Sequence, residues 1–379
     1  MKKKILFLTR LDPENIKSWS GLNYYILRLL KKNFEVITVG PLSNRIRYIF
    51  LIKKFFFLLF GIKFDIDRPI LVAKDFARQI KKKIEKEKYD IVLTSDTYLL
   101  SFFKTNKPIY IWTDFLFSTY YSTYFKNSRI HPNTIKEGNY CEKLALKKAK
   151  KIFLTSEWSV KEAIKDYKIL KSKFSIIPFG ANINSVPKKK IVINNIKNKK
   201  FKILKILTVG VSWERKGMDK AINLIKKINN YGQKAELYII GSKPPINYCV
   251  PKNVFIIRFL DKNKVEDQKL LNRYFLKSHF NVLFSTAEAS AVVYSEASAF
   301  GLFTITHDVG GGASIIKNNI NGFRFKINNS NVDVIAKYIL NIFRNRKKFI
   351  RKSFMSRNEY DTRLNWSYSE NRFKKLLIN

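Results

Sequence analysis

The 379-residue chain has only 2 cysteines, 3 histidines and 3 methionines, and its 29 acidic residues stand against 73 basic ones. Cys141 and Cys249 lie far apart without CxxC spacing, which excludes a disulfide framework and a cysteine zinc site and fits a reducing compartment. His131, His279 and His307 lack metal-ligand spacing, and His279, which opens an apolar run, reads as structural. No Walker loop, GxGxxG or HExxH string occurs, so kinase, dehydrogenase and metalloprotease readings have no support. No apolar run reaches the roughly 20 residues that cross a bilayer. Near the start, Ile5 to Thr9 follows three lysines, but Arg10, Asp12 and Glu14 come at once, so this segment reads as a first core strand and not a secretion signal.

What is present is material for a core: 46% hydrophobic and 15% aromatic residues, enough for two domains of ordinary size. The formal charge of +44 attracts polyphosphates in general. That charge is spread along the whole chain, and no zinc finger, RNP-like aromatic motif or Gly-rich basic tail accompanies it, so no specific nucleic-acid partner is expected.

Strand-like runs alternate with amphipathic helical stretches, the pattern of an α/β protein with parallel sheets. The first series is Ile5 to Thr9, Phe34 to Val39, Asp90 to Thr94, Ile109 to Trp112, Ile152 to Thr155 and Ser175 to Ile177, with a helical stripe of Leu22, Tyr25, Ile26, Leu29 and Leu30. Asn182 to Lys200, rich in Asn and Lys, reads as a linker. A second series follows at Lys202 to Val209, Ala235 to Ile240, Val254 to Ile257, Phe280 to Phe284 and Phe303 to Thr306.

The segment Arg45 to Phe60 is too short and too charged to span a bilayer. Two readings stand: an interfacial helix with Phe and Leu in the acyl boundary and Arg45, Arg47, Lys53 and Lys54 at anionic headgroups, or an ordinary core helix.

Near the C-terminal end, Glu288 and Glu296 flank the start of a small-residue helix that Gly301 stops. Parallel sheets bind ligands beyond the carboxyl ends of their strands, and helix N-termini there attract phosphate. Amides near Ala291 and Val292 suit a diphosphate, while the carboxylates suit hydroxyls of a sugar and a ribose. The alternative is a helix-capping Glu288 and an exposed Glu296.

Val209-Gly-Val-Ser-Trp213-Glu-Arg215-Lys216-Gly217-Met-Asp219, then Glu288 through Glu296 and Gly301, Asp308-Val-Gly310-Gly311 and Asn321-Gly322 resemble the C-terminal half of retaining glycosyltransferases of family 4, with the GT-B fold. Leu11-Asp12-Pro13, Ser18-Trp19-Ser20-Gly21, Thr113-Asp114, Ser156-Glu157-Trp158, Pro178 to Asn182 and Arg363 to Trp366 resemble a subgroup of that family. The resemblance implies two Rossmann-like doubly wound domains facing a cleft: residues 1–181 binding acceptor, 182–200 a linker, 201–355 binding a nucleotide-sugar, and 356–379 a helical tail packing back on the first domain. It implies catalytic roles for Glu288, near the transferred sugar, and for Asp114. It implies donor contacts from Gly21, Arg215, Lys216, Ala291, Val292 and Glu296, the last to the ribose. The other readings are a solvated turn for Arg215 and Lys216 and a helix N-cap for Asp114. Trp112 and Trp213 read as packing residues.

Two departures from the family pattern stand out. Val211 occupies a position where many relatives have Arg, and Ala289, Ser290 and Ala291 occupy a loop where relatives often have glycine, narrowing its backbone freedom. Asp65-Ile-Asp67 matches the metal-binding Asp-x-Asp string of another glycosyltransferase fold but lacks its context, and no metal or other cofactor is expected.

The expectation is a cytoplasmic glycosyltransferase, peripheral on the inner face of the cell membrane through residues 45–60. It would move a hexose, with retention, from a nucleotide-sugar to a saccharide or lipid-linked saccharide in cell-surface polysaccharide or glycoconjugate synthesis. The alternatives are a non-catalytic binding protein of the same fold and, further off, a basic nucleic-acid binder.

Overall fold

A computed structural model describes residues 3–378. The chain divides into two compact units, residues 1–177 and 178–379.

The first unit holds β1 (Lys4–Leu8), β2 (Glu35–Val39), β3 (Ile62–Lys63), β4 (Ile91–Thr94), β5 (Ile109–Thr113), β6 (Arg129–Ile130), β7 (Lys151–Leu154) and β8 (Phe174–Ile176). Six of them form a parallel sheet in the order β2-β1-β4-β5-β7-β8, and β3 pairs with β6 as a separate ribbon. Helices cover both faces of such sheets, so its strands read as continuous apolar runs, and Ile5 to Leu8 and Val92 to Leu93 are fully buried. The predicted stripe Leu22, Tyr25, Ile26, Leu29 and Leu30 is the buried face of helix Leu22–Asn33. Trp112 is fully buried, its indole donating to the Ile177 carbonyl at 3.2 Å.

Helix Arg47–Leu59 departs from this economy, because Phe50 is its one buried residue. Eight large apolar side chains between Tyr48 and Phe60 stay exposed, although burying each would stabilise the fold by about 1.5–3 kcal/mol. The core-helix reading of this segment therefore fails.

The second unit holds β9 (Leu204–Val209), β10 (Ala235–Ile240), β11 (Val254–Ile257), β12 (Phe280–Leu283), β13 (Phe303–His307) and β14 (Gly322–Phe325), all parallel, in the order β11-β10-β9-β12-β13-β14. β14 is short and interrupted by Arg324, so its apolar signal is weak. Residues 182–200 include a helix, Lys189–Lys197, whose Val192 and Ile196 are buried in this unit's core. At the chain's end, Trp366 Nε1 donates to Asn182 Oδ1 at 3.0 Å and Ser369 Oγ to the Pro178 carbonyl at 2.7 Å, both partners within the second unit.

Candidate functional site

In the second sheet the chain leaves β9 for β10 on one side and later returns to lay β12 on the other. The loops after β9 and β12 thus diverge at a topological switch point, the place where doubly wound sheets open a binding crevice. Helix Met218–Asn230 follows the first loop, with Ala221, Ile222, Ile225 and Ile228 buried at helical spacing. Two glycines shape the loop before it. A Cβ on Gly210 would lie 2.9 Å from Lys216 Cγ, so glycine lets the lysine stem cross the strand end. Gly217 is left-handed at φ +66, and a Cβ there would meet the Phe284 carbonyl oxygen at 2.5 Å.

The two loops are joined. Thr286 N donates to the Arg215 carbonyl at 2.9 Å, and Arg215 Nη1 donates to the Ala287 carbonyl at 3.1 Å and lies 3.4 Å from Glu288 Oε1. Lys216 Nζ donates to the same Glu288 oxygen. Both partners are deeply buried, with Lys216 8% and Glu288 4% exposed. Burial pulls the Lys216 ammonium below the ordinary lysine range; Glu288 opposes this shift and Arg215 adds to it. The Glu288 carbonyl accepts from Gly311 N at 3.2 Å, which brings the Asp308 to Gly311 loop after β13 against the same point. Two cations and one carboxylate at a sheet edge form a site of net positive charge.

Helix Val292–Ala299 begins beside them. Ala291 is its N-cap, no side chain caps it, and its first turn carries no acid. Its N–H groups and dipole therefore suit an anion. Ala289, Ser290 and Ala291 are not among the residues with positive φ, so their Cβ atoms put no strain on the loop. Glu296 is buried and paired with Lys262 Nζ at 2.5 Å. Lys262 belongs to the loop after β11, which Asp267 braces: its carboxylate takes two Arg258 nitrogens and, at 2.7 Å, Asp261 N. Neither glutamate fits the alternative reading, since Glu288 caps no helix and Glu296 is not exposed.

Gly21 and Asp114 belong to the first unit. Gly21 is left-handed at φ +84 and ends a turn in which Trp19 and Ser20 are also left-handed, immediately before helix Leu22–Asn33. Asp114 follows β5, is buried, and accepts from Phe115 N at 3.1 Å. It is not the N-cap of helix Phe117–Tyr124, whose cap is Leu116.

Two ion pairs at these sheet edges escaped the sequence reading. Nothing in the sequence around Lys262 singles it out, and its pairing with Glu296 depends on β11 and β12 sharing one sheet. Arg10 and Asp96, bonded to each other, follow β1 and β4, the neighbours at which the first sheet reverses its order. Burial opposes ionisation of Asp96, but Arg10 and Arg68 hold its carboxyl below the usual range.

Among the described residues no group of three or more His, Cys, Asp or Glu is placed to hold a metal. Asp65 accepts from Tyr121 Oη at 2.6 Å and Asp67 from Asn44 Nδ2 at 2.9 Å, so the Asp-x-Asp string serves local packing. His279 accepts from Lys205 N at 2.9 Å and faces the Lys200 carbonyl at 3.1 Å, and burial, helped by Lys199, lowers its pKa to about 3. Cys141 and Cys249 are both free.

Residues 188–358 match the family model described as Glycosyl transferases group 1, a span that holds Arg215, Lys216, Glu288, Ala291, Val292 and Glu296. The whole chain has the fold of GT-B glycosyltransferases of known structure. It is similar to sucrose-phosphate synthase from Thermosynechococcus elongatus, with 16% identity, 99% of this chain and 98% of the other covered, and a TM-score of 0.72. It is similar to Anabaena HepE in complex with UDP and glucose, at 13% identity, 99% of each chain and a TM-score of 0.65. A glycosyltransferase from Rickettsia africae matches at 16% identity over 99% and 97% of the two chains, with a TM-score of 0.64. No curated protein matches the chain by sequence.

Proposed function

We propose that the protein is a glycosyltransferase that moves a hexose from a nucleotide-sugar to a saccharide or lipid-linked saccharide acceptor, with retention, in cell-surface polysaccharide or glycoconjugate synthesis in the cytoplasm. The observation that carries this reading is the buried pair of Lys216 and Glu288 at the switch point, with the half-buried Arg215 against it, beside the open N-terminus of helix Val292–Ala299. In this reading the two cations and the helix amides take the donor diphosphate and offset the charge that grows on it as the glycosidic bond breaks. Glu296 accepts hydrogen bonds from the ribose, and Glu288 orients Lys216 and faces the sugar. Gly21 and Asp114 supply the first unit's contribution to donor and sugar. The family match over residues 188–358 supports the reaction class, and HepE, a protein of the same fold, holds UDP and UDP-glucose.

The test is a thermal-shift and donor-hydrolysis screen of the full chain against UDP-, GDP- and ADP-sugars and the free nucleotides. A donor at a hundredfold excess over its dissociation constant stabilises by about 2.7 kcal/mol. Selective stabilisation by one nucleotide, with slow release of that nucleotide from its sugar, is the expected result. No shift with any nucleotide would defeat the reading.

A further inference from the structure

We propose that helix Arg47–Leu59 docks the protein flat on an anionic lipid bilayer, an interaction independent of the donor site. Tyr48, Ile52, Phe55 and Leu59 recur at spacings of four, three and four and so share one face. They are 74%, 78%, 62% and 83% exposed. The opposite face holds the helix to the protein: Phe50 is buried, and the Phe57 ring lies 4.2 Å from the His131 ring and 6.0 Å from that of Phe64. The outward face is therefore the apolar one, and it is presented by a helix anchored from behind.

The charges follow the same geometry. Arg47 and Lys54 sit seven residues apart beside the anchored face, with Lys53 on its other flank, so all three cations lie below the apolar stripe. No acidic residue occurs between Glu35 and Asp65, while Arg45, Arg47, Lys53, Lys54 and Lys63 all do. A helix lying in the interface, apolar side chains among acyl chains and cations at the headgroups, needs this layout. At 13 residues the helix is about 20 Å long, too short to cross a bilayer core of about 30 Å.

A second copy of the chain fits this face less well. A two-fold contact sets the same patch against itself, so each cation would meet cations with no carboxylate from this stretch between them. Anionic headgroups supply the missing countercharge.

The experiment is flotation of the full chain with vesicles of phosphatidylcholine alone and of phosphatidylcholine mixed with phosphatidylglycerol, alongside light scattering. Wild-type protein is expected to bind the mixed vesicles at least about tenfold better than the neutral ones, with binding falling as salt rises. Ile52→Ser with Leu59→Ser, both outward-facing, is expected to cut binding by about tenfold or more at an unchanged melting temperature. Lys53→Glu with Lys54→Glu is expected to remove the preference for phosphatidylglycerol. The proposal is overturned if the wild type fails to float, if the serine variant floats equally well, or if light scattering shows a dimer that this variant dissolves. Nucleotide-induced stabilisation, measured on the same samples, reports separately on the donor site.

Discussion

Lys216 and Glu288 form a buried ion pair across 72 residues of sequence. It ties together the loops that follow two neighbouring strands, β9 and β12. A buried pair of this kind stabilises little against an apolar replacement, but losing one member leaves a charge buried alone, at a cost of about 3–5 kcal/mol.

That asymmetry separates structure from chemistry. Glu288→Gln, which leaves the Lys216 ammonium without its carboxylate, should lower unfolding free energy by about 3–5 kcal/mol. Lys216→Met should cost less, because Arg215 stays 3.4 Å from Glu288 Oε1, and the double variant should regain most of the loss. Urea denaturation measures this. None of the three should release nucleotide from a donor sugar, and turnover by the refolded double variant would remove both residues from the active site.

Burial also gives Lys216 a pH signature. Its pKa lies below the usual lysine value of about 10.4, so its positive charge is lost at a lower pH than that of an ordinary lysine. Nucleotide affinity, followed by calorimetry from neutral to alkaline pH, should weaken earlier than an ordinary lysine would allow. Lys216→Arg, whose pKa exceeds about 12, should shift that weakening upward.

The proposed function gives Glu296 the ribose as its partner. Glu296→Ala should weaken binding of a ribonucleotide about 10- to 100-fold, the range of a hydrogen bond to a charged group. A 2′,3′-dideoxynucleotide, which lacks the partner hydroxyls, should show almost no difference between the two proteins. An equal loss for both ligands would mean that Glu296 only holds Lys262.

Gly217→Ala should destabilise by about 2 kcal/mol or more, since a left-handed backbone costs about 1–2 kcal/mol and the new Cβ meets the Phe284 carbonyl oxygen at 2.5 Å. Thermal melting checks this, and an unchanged melting temperature would show that the turn relaxes freely.

His279 should make the second unit acid-sensitive. Its folded pKa of about 3 lies below its unfolded value of about 6.5, so the fold favours the neutral ring. The stability this ring contributes is complete above about pH 6.5 and is lost as pH falls toward about 3, at roughly 1.4 kcal/mol per unit. His279→Gln should melt lower at pH 7, having lost its bond from Lys205 N, yet lose less on acidification.

The strands were legible because parallel strands buried on both faces leave unbroken apolar runs. Eleven of the observed strands fall within or against such runs, whereas Gly322–Phe325, with Arg324 inside it, does not stand out. Residues such as Lys216, Glu288 and Glu296 were legible, as candidates, from motif order. Their partners were not: pairing Glu296 with Lys262 requires knowing which strand lies beside which, and one sequence does not carry that adjacency. In helix Arg47–Leu59 the sequence showed what the side chains are but not which face the protein covers, and Phe50, Phe57 and Phe64 decide that by packing together.

The bonds from Trp366 and Ser369 bear on the order in which the protein is made. Pro178, Ala181 and Asn182, the crossover that opens the second unit, find partners in Ser369, Leu364 and Trp366. A ribosome delivers those partners only after every strand of both sheets has emerged. The first unit can be complete while these three hydrogen bonds still await residues 364–369.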